Sequence, residues 1–360
     1  MASSEELLIN VTPRETRVAV VENGMLQELH IERSSKRGVY GNIYKGRVQR
    51  VMPGMQAAFV DIGLERTAFL HASDIVLANS QQLAFESVES ESKPQPLITS
   101  LVHEGQQIIV QVIKDPIGTK GARLTTEISI PSRYLVLLAD SQLIGVSSRI
   151  DDDAERQRLK TLLQGYAGRT GFGYIVRTNA EGIEDSLIEQ DIAYLNRAIG
   201  VLNQRRQSAK VGECIYEDLS LPMRAVRDML HADVANVLID SREAFEKVQR
   251  FAQQLMPELA GRIQLYDGTR PIFDSYSVED EISRALKKEV PLKSGGYLVF
   301  DQTEAMTSVD INTGSFLGQK NLEETAYRTN LEAAQAIARQ LRLRNLCDII
   351  IIDFIDMRDD

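Results

Sequence analysis

Cysteine is nearly absent from this chain: Cys214 and Cys347 are the only two in 360 residues. Two thiols cannot staple a disulfide scaffold or make a zinc site by themselves, and the four histidines are scattered without ligand spacing. Structural thiols are therefore expected. Long apolar runs are missing too, none reaching the roughly 18 residues that a membrane-spanning helix needs. Met1 to Asn10 carries neither a basic leader nor an apolar core, so no membrane association and a cytoplasmic location are expected. Positive charge is also scarce. Asp and Glu number 51 against 41 Lys and Arg, a formal charge of -10 that would repel a polyanion if it were spread evenly. Much of the acid is local, however: Glu86, Glu89 and Glu91 sit in a Ser/Gln-rich insertion, and Asp151, Asp152, Asp153 and Glu155 open a helix. A basic groove can coexist with that total.

What is present is enough chain for several domains, in a composition ordinary for a globular protein. From Asn42 to about Ile128 the pattern is one of short strands: Tyr44–Val51, Met55–Ile62, Thr67–Leu70, Gln107–Ile113 and Ala122–Ile128, with glycine-bearing connections. Five such strands are the count of a small closed barrel of the oligonucleotide-binding type, with residues 77–100 as a loop on it. Barrels of this kind bind single strands by stacking bases on exposed aromatics and drawing the backbone with basic side chains. Phe59 and Phe69 are the aromatic candidates, and Lys114 and Lys120 flank the Asp115-to-Thr119 turn. Pattern alone reads the phenylalanines as core and the lysines as solvated charge.

The last 60 residues hold a pair of carboxylates in apolar surroundings: Asp310 in Thr307-Ser-Val-Asp-Ile-Asn-Thr-Gly314, and Asp353 after four isoleucines. An ionised acid inside such a strand is expensive unless a charge offsets it. Two of them converging would hold a divalent metal able to polarise a phosphodiester. The layout favours convergence. Residues 297–311 read as two strands around a turn flanked by the solvated Asp301 and Glu304. Asn321 to about Asn345 reads as a helix, with Leu322, Ala326, Leu331, Ala334, Ala338 and Leu341 on one stripe, a capping-box spacing from Asn321 to Glu324, and arginines toward its end. A strand at 348–354 follows. Strand, crossover helix and strand would bring Asp310 and Asp353 to one sheet edge, where open α/β folds place ligands. Asn312, two residues past Asp310, would share its face and orient a phosphate or a metal-bound water. Asp356 would point away from Asp353 and is the weaker ligand.

Several long motifs resemble the bacterial ribonuclease E/G family, and its G branch more than its E branch. They are Gly54-Met-Gln-Ala-Ala-Phe-Val-Asp-Ile-Gly63, Phe69-Leu-His-Ala-Ser-Asp-Ile75, Gly118-Thr-Lys-Gly-Ala-Arg-Leu-Thr-Thr126, Arg270–Asp274 with Val278–Ile282, and Asp301–Gly314. The resemblance spans essentially the whole chain. It implies endonucleolytic hydrolysis of single-stranded RNA to a 5′-monophosphate and a 3′-hydroxyl, with Mg2+ held by Asp310 and Asp353 and Asn312 assisting. It moves Phe59 and Phe69 from core to RNA contacts on an S1-type barrel, with Lys114 and Lys120 on the same surface. It also implies a pocket that prefers RNA with a 5′-monophosphate. Arg177 would give that group bidentate hydrogen bonds and Thr178 a hydroxyl, while Ser132 and Val136 match the pocket by position and Arg149 is a further neighbour. Serine at 132 stands where the E branch has glycine, a change that spares a backbone donor.

The implied architecture is multidomain, α/β and β. A discontinuous ribonuclease-H-like domain (1–40 and 215–285) holds an inserted S1-type OB barrel (41–128) and a 5′-sensor (129–214), and a partial DNase-I-like α/β catalytic domain (286–360) follows. Full-length members of the family continue with the rest of that domain, a Cys-Pro-x-Cys zinc link between protomers and a small domain used in dimerisation. With 360 residues, zinc and the zinc-linked dimer are not expected, although a full-length protein would be a homodimer or larger. The roles implied are maturation of the 5′ end of 16S ribosomal RNA, from its precursor, and messenger turnover. The competing expectation is a module that binds RNA and, lacking part of the catalytic domain, does not cut it.

Overall fold

The computed structural model describes residues 5–76, 96–118, 120–231, 233–314, 322–347 and 349–357. Two compact units emerge, one made of Lys36–Ser220 with Gln253–Met256, the other of Met1–Ser35, Leu221–Ala252 and Pro257–Asp360.

The first unit contains a closed barrel. Ile43–Met52, Ala57–Asp61, Ala68–His71, Arg123–Thr125 and Gln107–Lys114 pair in that order, and Gln107–Lys114 returns to pair with Ile43–Met52. Alternation drives it. Val48, Ala58, Val60, Ala68, Leu70, Val110, Val112 and Leu124 face inward and are essentially solvent-free, while the residues between them face out. Gly121 permits the tightest approach, since a Cβ there would lie 1.9 Å from the Thr67 carbonyl oxygen. The expected loop is helical at Ile98–Leu101, and its remainder from 77 to 95 lies outside the described residues, as does Thr119.

A second sheet follows in the same unit, in the order Ile144–Val146, Gly173–Val176, Leu135–Leu138, Ser129–Pro131. It packs through Leu135, Leu137, Tyr174 and Val176 on the helices Asp153–Thr170 and Asp185–Ser208, which supply Leu159, Leu163, Ile188, Ile192 and Leu195. The acids at 151–153 serve a helix start: the Asp152 side chain accepts from the Ala154 N–H at 2.9 Å.

The other unit holds two sheets. Ile263–Leu265, Val234–Ile239 and Glu5–Val11 run parallel, and Glu15–Glu22 and Met25–Arg33 complete the sheet antiparallel. The N-terminal strands thus find their partner beyond residue 230, because Leu8, Ala19, Val21 and Leu26 acquire a core only when Ile272, Phe273 and Val278 cover them. The last sheet runs Glu289–Pro291, Tyr297–Gln302, Met306–Asn312, Ile349–Asp353, the final pair parallel and joined by the helix Leu322–Leu343. Ala333 and Ile337 of that helix pack on Leu298, Phe300, Val309 and Ile311. The strand–helix–strand crossover forms, but its buried stripe is Ala326, Ala333 and Ile337, whereas Leu331, Ala334 and Ala338 of the expected stripe are exposed; the Asn321 cap lies outside the described residues. Of the two thiols, Cys214 is half-buried and Cys347 is exposed, so only the former has a structural setting.

Candidate functional site

The strand Met306–Asn312 alternates strictly: Thr307, Val309 and Ile311 are buried against the crossover helix, and Met306, Ser308 and Asp310 are exposed. Ile349–Asp353 alternates in phase, with Ile350 and Ile352 turned to the core and Ile349, Ile351 and Asp353 exposed. Asp310 and Asp353 are register partners in this parallel pair, which sets them side by side on the open face, one strand spacing of about 4.8 Å apart. Asn312 lies on the same face and its Nδ2 donates to Asp310 Oδ2 at 2.8 Å. Gly296 makes room beside it, for a Cβ there would lie 2.6 Å from the Asn312 carbonyl oxygen.

One expectation needs correction. Asp353 does not lie inside a buried strand: helix covers only one side of the sheet, so the isoleucine run splits between the two faces. The two carboxylates stand in the open, where a cation could reach both from the uncovered face. Two carboxylates and a nearby amide suit a hard cation such as Mg2+, which takes one or two carboxylates and keeps several waters. No histidine or cysteine belongs to the cluster, and among the described residues no group of three or more His, Cys, Asp or Glu side chains is arranged to hold a metal.

The segment after Asp353 is held by Asn330 of the crossover helix, which is 7% exposed. Its Nδ2 donates to the Ile355 carbonyl at 2.9 Å, and its Oδ1 accepts from the Ile355 N–H at 3.1 Å. A side chain here plays the part of a neighbouring strand. Asp356 is exposed beyond the strand end, Asp301 is ion-paired with Lys288, and Glu304 lies exposed in the hairpin turn.

On the barrel, Phe59 and Phe69 face outward because their neighbours Ala58, Val60, Ala68 and Leu70 face in. They are register partners, with ring centroids 6.1 Å apart in an edge-on arrangement. Pairing across the barrel continues the row: Arg50 lies beside Phe59, Arg123 beside Phe69, and Lys114 beside Arg123. His71, two residues past Phe69, puts a third ring 6.3 Å from it. Arg123 is held by Asp74 through Nε and Nη2 at 2.8 and 3.2 Å, an interaction that raises its pKa further. Lys114 is exposed at its strand end, and Lys120 is exposed in the turn that its backbone closes with Ile117. Arg50, His71 and Arg123 escaped the sequence reading. The two-residue step from Phe69 signals His71, but only cross-strand register reveals the arginines.

Arg177 and Thr178 lie just past the strand Gly173–Val176. The Arg177 N–H donates to the Tyr134 carbonyl at 2.8 Å, and its Nη1 donates to the Ser132 carbonyl at 2.6 Å. Thr178 is exposed, and Asn179 Nδ2 donates to the Arg133 carbonyl at 2.6 Å. Val136 is half-buried opposite Ile175, and Arg149 is exposed two residues past Ser147, whose N–H donates to the Val176 carbonyl at 3.0 Å. Ser132 contributes differently from expectation. Its N–H donates to the Leu135 carbonyl at 2.7 Å, its hydroxyl donates to Asp191, and it is fully buried, so its backbone donor is already taken and its carbonyl is the group that meets Arg177. Asp191 is 2% exposed, and burial pushes its carboxyl above the usual range against the pull of its four donors.

Comparison with known proteins is consistent along the chain. The profile of the S1 RNA binding domain matches residues 40–124 and that of the Ribonuclease E/G family matches residues 129–360. Ribonuclease G of Escherichia coli is 52% identical over 360 residues, an alignment covering 99% of this chain and 72% of that protein. Ribonuclease G of Haemophilus influenzae is also 52% identical, over 355 residues. Ribonuclease E of Escherichia coli is 38% identical over 356 residues, which is 98% of this chain and 33% of that protein.

Proposed function

Because the chain belongs to the Ribonuclease E/G family, we propose that it hydrolyses single-stranded RNA endonucleolytically, with Mg2+ at Asp310 and Asp353 and a preference for 5′-monophosphorylated substrates. The observation that carries the reading is the register pairing of the two acids on an open sheet face, with Asn312 bonded to one of them. Asp310 and Asp353 hold the cation, and Asn312 fixes the carboxylate of Asp310. Bound there, Mg2+ supplies Lewis acidity for activating water and neutralising phosphoryl oxygens. The oxygen of water bonds to phosphorus, the bond to O3′ breaks, and the proton passes to O3′, leaving a 5′-monophosphate downstream. The ribose 2′-hydroxyl takes no part, so selection for RNA rests on binding.

Binding falls to the barrel row. Phe59, Phe69 and His71 offer rings for stacking, and Arg50, Arg123, Lys114 and Lys120 offer charge to the backbone. Arg177 and Thr178 take the terminal phosphate, with Val136 and Arg149 at the pocket edge and Ser132 beneath it. The product of one cut then carries the mark that favours the next.

The folds of the two outer sheets support a finer assignment. A sheet of five strands, three parallel and two antiparallel, with the first strand central, has the order of a ribonuclease-H-like domain, and the crossover sheet bearing the acids suits a DNase-I-like catalytic domain. Substrates in the cell would include the 16S ribosomal RNA precursor and messenger RNA, in the cytoplasm. Among the described residues no helix is long and apolar enough to cross a membrane.

The test is cleavage of a fluorescent single-stranded RNA bearing a 5′-monophosphate by the wild-type chain, Asp310→Asn and Asp353→Asn. Magnesium-dependent cleavage that falls by at least about 100-fold in both variants is expected. RNA binding without cleavage by the wild-type chain would overturn the enzymatic reading and leave a binding module.

A further inference from the structure

Asp191 is the only acid among the described residues that is buried to this degree. It projects from the helix Asp185–Ser208 at the turn Ser132–Leu135, and all its partners are donors: the Ser132 hydroxyl, the Arg133 N–H at 3.3 Å, the Tyr134 N–H at 3.0 Å and the Leu135 N–H at 2.9 Å. Three consecutive peptide groups are therefore oriented alike. The carbonyl opposite each of these N–H groups points to the other side of the turn, where it meets the 177–179 segment. Ser132 O accepts from the Arg177 guanidinium, Arg133 O from the Asn179 amide and Tyr134 O from the Arg177 N–H.

We propose that Asp191 is a positioning residue that sets the selectivity of the terminal-phosphate pocket, acting through three peptide groups that lie between its carboxylate and the 177–179 segment, two of them meeting Arg177 and one Asn179. The proposal rests on the reading of Arg177 and Thr178 as that pocket. Four convergent donors need a side chain with two acceptor oxygens, and the carboxyl group of Asp191 offers one to each pair of them. Acceptance of three backbone N–H groups polarises their peptide groups and makes the oxygens stronger acceptors, so the guanidinium and the Asn179 amide are held more firmly. Bidentate recognition of a phosphate by arginine depends on the plane of the guanidinium, and a group fixed before binding loses less freedom when the ligand arrives. Asp191 itself never touches the ligand. It supplies geometry from behind, as outer partners do for metal-binding side chains.

The experiment compares two RNAs of one sequence, one with a 5′-monophosphate and one with a 5′-hydroxyl, cleaved by the wild-type chain, Asp191→Asn and Ser132→Ala. The amide introduced by Asp191→Asn would be forced to set an NH2 group against backbone N–H donors. The preference for the phosphorylated RNA is expected to fall about 10-fold in Asp191→Asn, through KM, with cleavage of the hydroxyl RNA within about 2-fold of wild type. Ser132→Ala deletes one of the four donors and leaves the turn closed, so it guards against failure of the first variant to fold. A loss of about 3-fold in the preference is expected for it. A merely structural role would lower cleavage of both RNAs alike, and that result, or an unchanged preference in both variants, would overturn the proposal. Equal cleavage of the two RNAs by the wild-type chain would show instead that the pocket reading fails, and the proposal with it.

Discussion

Phe59 and Phe69 each expose a ring on a barrel whose interior is filled by alanine, valine and leucine, so neither is needed to complete the core. Truncation should therefore change binding more than folding. Stacking of a base on an aromatic contributes roughly 1–3 kcal/mol, and Phe69→Ala, which also removes the neighbour of His71, is expected to weaken binding of a single-stranded RNA by about 10-fold or more at fixed salt. Since the two rings touch, the double variant should lose less than the sum of the singles. Fluorescence anisotropy measures this, and unchanged affinity in Phe69→Ala with an intact fold would remove the ring from the interface. At this scale the long motifs made Phe59, Phe69, Asp310 and Asn312 legible as candidates, and the structure shows where they lie. The sequence was silent on Asp191, whose neighbours in sequence are ordinary helix residues and whose partners lie at 132–135, far away along the chain.

The crossover helix Leu322–Leu343 and the strands it joins were legible as elements, but the spacing picked the wrong face of the helix: Leu331, Ala334 and Ala338 are exposed, and Ala326, Ala333 and Ile337 are buried. What the spacing concealed is that the sheet is covered on one side only. Four successive isoleucines read as burial on both faces, whereas Ile349 and Ile351 stand 65% and 50% exposed beside Asp353. Pattern cannot separate a central strand from one whose second face is open. The helix also carries Asn330 within its buried stripe, between Ala326 and Ala333, and its amide reads as surface until Ile355 is seen to bond with both ends of it. Removing that clamp frees the chain just after Asp353, the proposed metal-holding acid. Asn330→Ala is expected to cost about 1 kcal/mol of stability, since it removes both hydrogen bonds to the half-buried Ile355 backbone, and to slow magnesium-dependent cleavage by about 10-fold or more with RNA affinity unchanged. Denaturant titration and single-turnover cleavage measure the two effects. Wild-type cleavage by the variant would show that Asp353 is placed by its strand alone.

Across the whole chain, the N-terminal strands are not a domain by themselves. Glu5–Val11 pairs with Val234–Ile239, and Met25–Arg33 packs against the crossover helix near the chain's other end. Charge joins the latter two. Glu28 accepts from His30 Nε2 at 3.1 Å and from Arg342 Nε at 3.1 Å, and Arg339 Nη1 donates to Glu281 at 3.0 Å on the same side of the helix. The hydrogen bond with His30, with Arg342 after it, holds the Glu28 carboxyl at about 2, below its ordinary 4.5. A value lowered by folding means that the contribution is complete above about pH 4.5 and disappears as pH falls toward 2. The pair is partly solvated, so screening reduces its worth to about 1 kcal/mol. Glu28→Gln is therefore expected to lower stability by about that amount at pH 7, to lose less stability than wild type between pH 4.5 and 2, and to converge with it at the acid end. Denaturant titrations of both proteins across that range measure the difference, and 1 M salt should shrink it. Parallel curves with a constant offset would mean that Glu28 stabilises by packing, not by charge.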